Sequence, residues 1–185
     1  MKKLKMLFLG GIVLLLLTGC SCEIKNDAGK AVQDYLNLYI KEDNVVIEQL
    51  DSYVANEELS ETQKVTYKNI LTKQYKDMKF EILNEDYEGD NATVSAKITV
   101  YDLYKVQKDA EDYLENSREE FSDETGNYDR TIFLDYKLNK METNTDTIDY
   151  TIDFYVIKTD GEWVVQQPSA LVLEKIHGIY NYDNK

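Results

Sequence analysis

The sequence predicts an α+β domain: a curved antiparallel sheet packed against N-terminal helices, with a helical insertion between two strand pairs and a short C-terminal helix. Apolar residues recur every three or four positions in the first third of the chain and again in its middle, which is typical of helices with one buried face. Between and after these stretches, apolar and polar residues alternate, as they do in half-buried strands. This order indicates helices on one face of the sheet.

Three amphipathic helices are predicted in the first third. A break at residues 42–44 separates the first two, and the pattern Ser60-x-x-Gln63 fits a capping box at the start of the third. Their apolar positions are, in order, Val32, Tyr35, Leu36, Tyr39, Ile40, then Ile47, Leu50, Val54, then Tyr67, Leu71, Tyr75 and Met78.

The first hairpin joins strands near 80–82 and 92–100 around Gly89-Asp90. A two-residue turn there would send the apolar residues of the two strands to opposite faces of the sheet. Pairing Ile82 with Ile98, and Phe80 with Val100, would bring them to one face. We therefore expect an odd-length loop or a β-bulge in this hairpin, because a one-residue slip exposes a whole apolar set.

The second half adds an insertion and a second hairpin. Helical periodicity returns over 103–114 and 133–141, and alternation returns over 147–156. A two-residue turn at Asp160-Gly161 places Val165 opposite Val156, with Trp163 on the same face. Pro168-Ser169 begins a final helix that Gly178 ends.

The N-terminus resembles a lipoprotein signal peptide. Lysines precede an apolar run at 6–17, which is too short to span the roughly 30 Å of hydrocarbon in a bilayer. Leu17-Thr18-Gly19-Cys20 resembles the lipobox, so we expect cleavage between Gly19 and Cys20. Diacylglyceryl or palmitate chains on Cys20 would then anchor the protein to the extracytoplasmic face of the cell membrane. Cys22 offers a competing register, but it lacks a branched residue three positions before it.

These features divide the chain into a signal peptide (1–19), a tether (20–27), one domain (28–180) and a tail (181–185). Cleavage would remove three lysines and no acids, changing the formal charge from −14 to −17. Such an acidic chain argues against nucleic-acid partners and against electrostatic adhesion to anionic lipids. Only Cys22 would remain as a free thiol, so we expect no internal disulfide.

The layout resembles the nuclear transport factor 2-like (cystatin-like) superfamily, and more closely the uncharacterised lipoproteins of Gram-positive bacteria that carry such a domain. The residues behind the resemblance are the hairpin Asp160-Gly161-Glu162-Trp163, the short helix after Pro168, and the helical insertion at 103–141. It covers about residues 28–180. The resemblance implies a cone-shaped sheet with a cavity against the N-terminal helices and, in some members, ketosteroid-isomerase-like catalysis by a buried acid or histidine.

The residues themselves favour a non-enzymatic protein without a cofactor. Asp149 and Asp153 share a polar strand face about 13 Å apart, too far for a catalytic pair. His177 is the single histidine, in the last turn of the final helix, where a charged imidazole would suit the helix dipole. The acidic loop at 123–129 could offer oxygens to calcium, but its spacing is not that of an EF-hand. No P-loop, zinc or hydrolase motif occurs.

Three functional hypotheses follow. The first is an interaction module of the cell envelope, which predicts an exposed apolar stripe on residues 103–141. The second is a pocket for a small apolar ligand, lined by Tyr150, Phe154 and Trp163. The third, the least favoured, is an enzyme, which would need a buried acid or His177 facing such a cavity. The tyrosines at 180 and 182 are expected to lie in the tail.

Overall fold

The computed structural model describes residues 27–183 and confirms the α+β class. Three helices come first: α1 (Ala28–Ile40), α2 (Asn44–Ala55) and α3 (Glu61–Asp77). Strands β1 (Lys79–Glu88) and β2 (Asn91–Tyr101) follow. The insertion consists of α4 (Leu103–Asn116), a 3₁₀ helix (Arg118–Phe121) and α5 (Arg130–Thr143). The domain ends with β3 (Thr147–Thr159), β4 (Glu162–Val165) and α6 (Ala170–His177). None of the described helices combines the length and apolar character needed to cross a bilayer.

The four strands form one antiparallel sheet in the order β1-β2-β3-β4. Alternate residues of β2 and β3 are buried under the helices, and we call this side the inner face. Its buried residues are Ala92, Val94, Ala96, Ile98, Val100, Tyr150, Ile152, Phe154 and Val156. The intervening polar residues form the outer face. The second hairpin has the predicted register, because Val165 lies opposite Val156.

The first hairpin contains the predicted bulge. A two-residue turn pairs Glu88 with Asn91, and the register then shifts between Ile82 and Asn84. Beyond the shift, Ile82 faces Ala96 and Phe80 faces Ile98. The predicted partners, Ile98 and Val100, were therefore wrong by two residues. Such an offset leaves the same side chains on the inner face, so alternation alone could not distinguish the two registers.

The start of α1 is tied to β1 near the first turn. Gly29 N donates to Glu85 Oε2 over 2.9 Å, and Ala28 N donates to the Tyr87 hydroxyl over 3.2 Å. A Cβ at Gly29 would overlap the Glu85 carboxylate, so a larger residue here would require that side chain to move. The Glu85 carboxylate also meets the positive end of the helix dipole. The chain therefore enters the domain at the hairpin end of the sheet.

Seven aromatic rings cross the core in a continuous row, which we call the aromatic ladder. Its members, in contact order, are Phe154, Tyr35, Tyr39, Tyr75, His177, Tyr53 and Tyr67. Neighbouring ring centroids are 4.9 to 6.3 Å apart. Burial raises the pKa of all five tyrosines, so their hydroxyls stay neutral. The ladder fills the space between α1, α3, α6 and the inner face.

His177 lies in the last turn of α6, as expected, but its environment does not favour the charged imidazole that would suit the helix dipole. The ring is buried between Tyr53 and Tyr75, and burial lowers its pKa to about 4. At this site, the free energy needed to remove a charged imidazole from water exceeds the stabilisation that the helix dipole provides. His177 is therefore neutral at pH 7.

The amide of Gln74 joins α3, β2 and the end of α6. Gln74 is fully buried, and its Oε1 accepts from Tyr101 N over 2.8 Å. Its Nε2 donates to Ile176 O over 3.3 Å and to Tyr101 O over 3.5 Å. Next to it, Gly178 adopts φ +74°, and a Cβ there would lie 2.2 Å from Tyr101 O. Both the conformation and the space require glycine.

Replacing Gln74 with methionine should destabilise the domain by about 2–4 kcal/mol, because it leaves the buried carbonyl of Ile176 and the part-buried backbone groups of Tyr101 without their partner. Urea unfolding followed by circular dichroism measures the change. The matched control is Gln33→Met on the exposed side of α1, which should change stability by less than about 0.5 kcal/mol. Equal effects of the two substitutions would contradict this role of Gln74.

Stability should also depend on pH through His177. Its pKa is 6.5 in the unfolded chain and about 4 in the folded one. As pH falls from 6.5 to 4, the unfolded state gains a proton that the folded state excludes, so up to about 3 kcal/mol of stability is lost. His177→Phe keeps a ring between Tyr53 and Tyr75 but cannot titrate. Urea unfolding at pH 7 and pH 4.5 should show a smaller loss in the variant, and an unchanged loss would refute the assignment.

Candidate binding site

A cleft of about 310 Å³ opens between the turn after α2 and helix α5. One wall is the segment 56–59, the opposite wall is α5, and Gln107 of α4 also lines the cleft. The cleft therefore lies where the N-terminal helices meet the insertion.

The floor of the cleft is apolar and well packed. Leu134, Leu138 and Met141 lie on one face of α5 at helical spacing, and all three are buried. Tyr67, the last ring of the aromatic ladder, adds to this floor from α3, and Leu59 flanks it. The floor is thus an extension of the main core towards solvent.

The rim carries charged side chains of both signs and neutral amide side chains. Arg130 Nη1 lies 3.2 Å from Glu58 Oε2 across the cleft, and Lys137 Nζ lies 3.8 Å from Glu111 Oε1. Arg130 and Glu58 are mostly exposed, so their ion pair adds little stability and an incoming group can displace it at small cost. The amides of Asn56 and Gln107 complete the rim.

Gln63 joins α3 to α5, and both helices contribute residues to the cleft. Its backbone N–H and side-chain oxygen form the predicted capping box with Ser60. Its Nε2 also donates to Asp135 Oδ1 over 2.8 Å and to Thr131 O over 3.4 Å in α5. Because Gln63 is buried, these bonds fix the distance between α3 and α5.

A larger depression, of about 690 Å³, lies at the hairpin end of the sheet. It is lined by residues of both faces, with Ala92 and Val156 from the inner face and Thr93 and Tyr155 from the outer face. It therefore extends over both faces at the hairpin end of the sheet, where Tyr87 also lines it.

The three residues proposed to line a ligand pocket share the inner face. Tyr150 packs against Tyr180 with ring centroids 5.7 Å apart, and Phe154 packs against Tyr35 at 5.9 Å. Trp163 lies farther along and contacts Tyr87 at 5.4 Å. Tyr150 and Phe154 are buried, whereas Trp163 is half-buried. The Tyr150 hydroxyl has no hydrogen-bond partner among the described residues.

Gly19, Cys20 and Cys22 lie outside the described residues, so the cleavage site and the lipid anchor remain predictions from sequence. Within the described part, no group of three or more His, Cys, Asp or Glu side chains is arranged to hold a metal ion. In the 123–129 loop, Asp123 Oδ1 accepts hydrogen bonds from Thr125 and Asn127, and these bonds lower its pKa. Asp129 caps α5.

The acids of the outer face take part in the sheet. Thr99 Oγ1 donates to Asp149 over 2.6 Å, and Ser95 donates to Asp153. These are the cross-strand neighbours that the register places opposite each other. The two carboxylates are exposed on the polar face, as predicted.

The exposed apolar stripe expected on residues 103–141 was wrong. The insertion builds a small core of its own from Ala110, Phe121 and Phe133. Among its large apolar side chains, only Tyr113 and Ile132 are exposed, at 36% and 39%. The insertion covers its apolar residues by folding α5 back on α4.

The C-terminal tyrosines are packed onto the domain. Tyr182 donates to Asp102 Oδ2 over 3.1 Å and meets the Tyr104 ring at 4.8 Å. Burial and the Asp102 carboxylate raise the pKa of Tyr182 to about 12. Asp183 accepts from Tyr104 and Lys108 of α4. Residues 181–183, which the sequence placed in a tail, therefore hold α4 against the domain.

Sequence reasoning identified the floor residues of the cleft only as core positions of helices. It identified Gln63 only as a helix cap. No local pattern indicates that the two sets meet, because Gln63 and Asp135 are 72 residues apart. The one clue in the sequence is that Gln63, a polar residue, falls on the otherwise apolar face of α3.

Comparisons with known proteins support the fold alone. No protein-family model matches the chain, and no curated protein matches it. The structure is similar to the crystal structure of a "putative lipoprotein (ycdA)" from Bacillus subtilis, with a TM-score of 0.51 and 14% sequence identity. The match covers 82% of this chain and 55% of that one, so this chain spans about half the length of that protein.

Proposed function

We propose that this chain is a lipid-anchored protein of the cell envelope whose cleft binds apolar side chains of a partner protein. The observation that carries the proposal is the cleft itself: a packed apolar floor with a rim of weakly held charges. Apolar floors with a few polar groups are characteristic of binding sites. The proposed activity is binding rather than catalysis.

The size of the cleft favours a protein partner over a free small molecule. Its volume of about 310 Å³ lies at the lower end of small-ligand pockets. A partner can instead insert a few apolar side chains and form further contacts along the rim. The Arg130–Glu58 pair would open at little cost and offer both charges to the partner.

The anchor is supported by the lipobox at Cys20 and by the name of the structurally similar protein. A tether from Cys20 to Asp27 would reach about 25 Å at full extension. It would join the domain at the hairpin end, where α1 begins beside Glu85.

This arrangement would direct the cleft away from the membrane. The helices that line it begin after β2 and return before β3, at the other end of the sheet. The eleven residues of β2 span about 35 Å between the two ends. The anchor and the cleft would therefore lie at opposite ends of the domain.

We also assign the domain to the nuclear transport factor 2-like superfamily as a proposal. The support is a curved antiparallel sheet under N-terminal helices, the Asp160-Gly161-x-Trp163 hairpin, and the short helix after it. In this chain the space between the helices and the sheet holds the aromatic ladder. Binding would accordingly have moved to the cleft.

Photo-crosslinking tests the cleft. A benzoylphenylalanine at Gln107, in the full chain in intact cells, should form a discrete adduct with a partner, whereas the same group at Asp112, on the exposed side of α4, should not. Leu134→Trp, which fills the cleft, should weaken the Gln107 adduct by about tenfold or more. Adducts of equal strength at both positions, or none at Gln107, would refute the cleft as the binding site.

Metabolic labelling with an alkynyl fatty acid tests the anchor. We expect Cys20→Ser to abolish the label and membrane retention, because it removes the acylated thiol. The matched control Cys22→Ser should keep both. Loss of label in Cys22→Ser with retention in Cys20→Ser would move the anchor to the competing register.

A further inference from the structure

Among the described strands, none lies beside one long edge of β3. β3 pairs with β2 from Thr147 to Ile157, but with β4 only from Val156 to Thr159. Within residues 27–183, no strand pairs with the β4 side of β3 from Thr147 to Phe154. We call this segment the free edge.

The hydrogen-bond pattern identifies the groups that the free edge presents. Lys158 N donates to Asp90 O on the β2 side, and Gln166 N donates to Tyr155 O on the β4 side. Backbone groups of successive residues in an antiparallel strand point to opposite edges. The N–H and C=O groups of Asp149, Thr151 and Asp153 therefore point out of the free edge.

One of these groups has a partner in the described structure. Lys175 Nζ donates to Thr151 O over 3.3 Å. The side chain of Lys175 lies over the rings of Tyr150 and Tyr180, 5.9 and 5.2 Å from their centroids. A single lysine placed on an edge carbonyl is a weak and replaceable cover.

Pro168 explains why β4 does not extend along the free edge. In the register of the second hairpin, Gln166 bonds to Tyr155, and residue 168 would bond to Asp153 in the same way. That position needs an N–H, which proline lacks. The chain contains one proline, and it stands at this position. Local sequence therefore keeps the edge open.

The charge around the free edge indicates what could cover it. Asp149 and Asp153 are exposed on the outer face at this edge, and Lys97 lies 4.0 Å from Asp149 while also facing Glu81. A second copy of this chain would bring the same acids and a formal charge of −14. Like charges opposite each other destabilise strand pairs, whereas opposite charges stabilise them.

We propose that the free edge binds an extended segment of another protein, carrying Lys or Arg at alternate positions, as an added strand of the sheet. The basic side chains would lie beside Asp149 and Asp153 on the outer face. The apolar side chains between them would lie beside the half-buried Ile148 on the inner side. The N–H of the segment would replace Lys175 on Thr151 O. This site is separate from the cleft.

A synthetic peptide of about eight residues, alternating lysine and valine, matches the length of the free edge and serves as the probe. It is added to the full lipidated chain in nanodiscs, and hydrogen exchange is measured residue by residue. We expect slower exchange at the amides of Asp149, Thr151 and Asp153. The same peptide with methylated backbone nitrogens, and a glutamate–valine peptide, should each bind at least about tenfold more weakly.

Variants of the chain test the same groups. Thr151→Pro removes an N–H that faces away from β2, so the sheet is retained while the added strand is blocked. Its matched control, Thr151→Ala, should bind the peptide as the wild type does. Lys175→Met should bind it more tightly, because it frees a carbonyl and removes a like charge. Asp149→Asn with Asp153→Asn should bind it about tenfold more weakly.

Several results would overturn the proposal. They are no binding of the lysine–valine peptide, equal binding by the methylated or glutamate peptide, and equal binding by Thr151→Pro. Slow exchange at the free edge without peptide, together with a dimer mass, would assign the edge to a second copy instead. None of these results bears on the cleft, whose crosslinks are measured at Gln107.

Discussion

The side-chain amide of Gln74 holds together three parts of the chain that are far apart in sequence. It closes the end of β2 at Tyr101 and the end of α6 at Ile176 from a fully buried position in α3. The insertion begins immediately after this point, and Gly178 must pass against it without a side chain. The Gln74 amide therefore holds the end of β2 from which α4 begins, and α4 contributes Gln107 to the cleft.

The aromatic ladder limits where the proposed binding sites can lie. It occupies the space beneath the inner face, and it makes His177 a neutral packing residue instead of a base. The two proposed binding surfaces are peripheral: the cleft where the ladder ends at Tyr67, and the free edge beside Pro168. The cleft depends on the packing of helices, and the free edge exists because β4 ends before Pro168. The two could serve different partners at once.

Much of the fold could be predicted because its signals are local. Helical and strand periods, the capping box at Ser60, the turn at Asp160-Gly161 and the parity of the first hairpin each depend on neighbouring residues. The register of that hairpin was missed by two residues, because an even shift leaves the same side chains inside. The prediction of an exposed apolar stripe on residues 103–141 was wrong, because periodicity shows that a helix has an apolar face but not what covers that face.

Local patterns in the sequence specified the α+β class, the element order, an odd-length loop or bulge in the first hairpin, and an acidic composition; residues 17–20 resemble a lipobox. The neutral state of His177, the docking of Tyr182 on Asp102 and the hydrogen bond from Gln63 to Asp135 arise only in the folded chain. The two groups of features differ because the interactions behind them act over different ranges along the chain. Periodicity and turns act within a few residues, whereas desolvation and buried hydrogen bonds depend on partners that only the folded chain brings together.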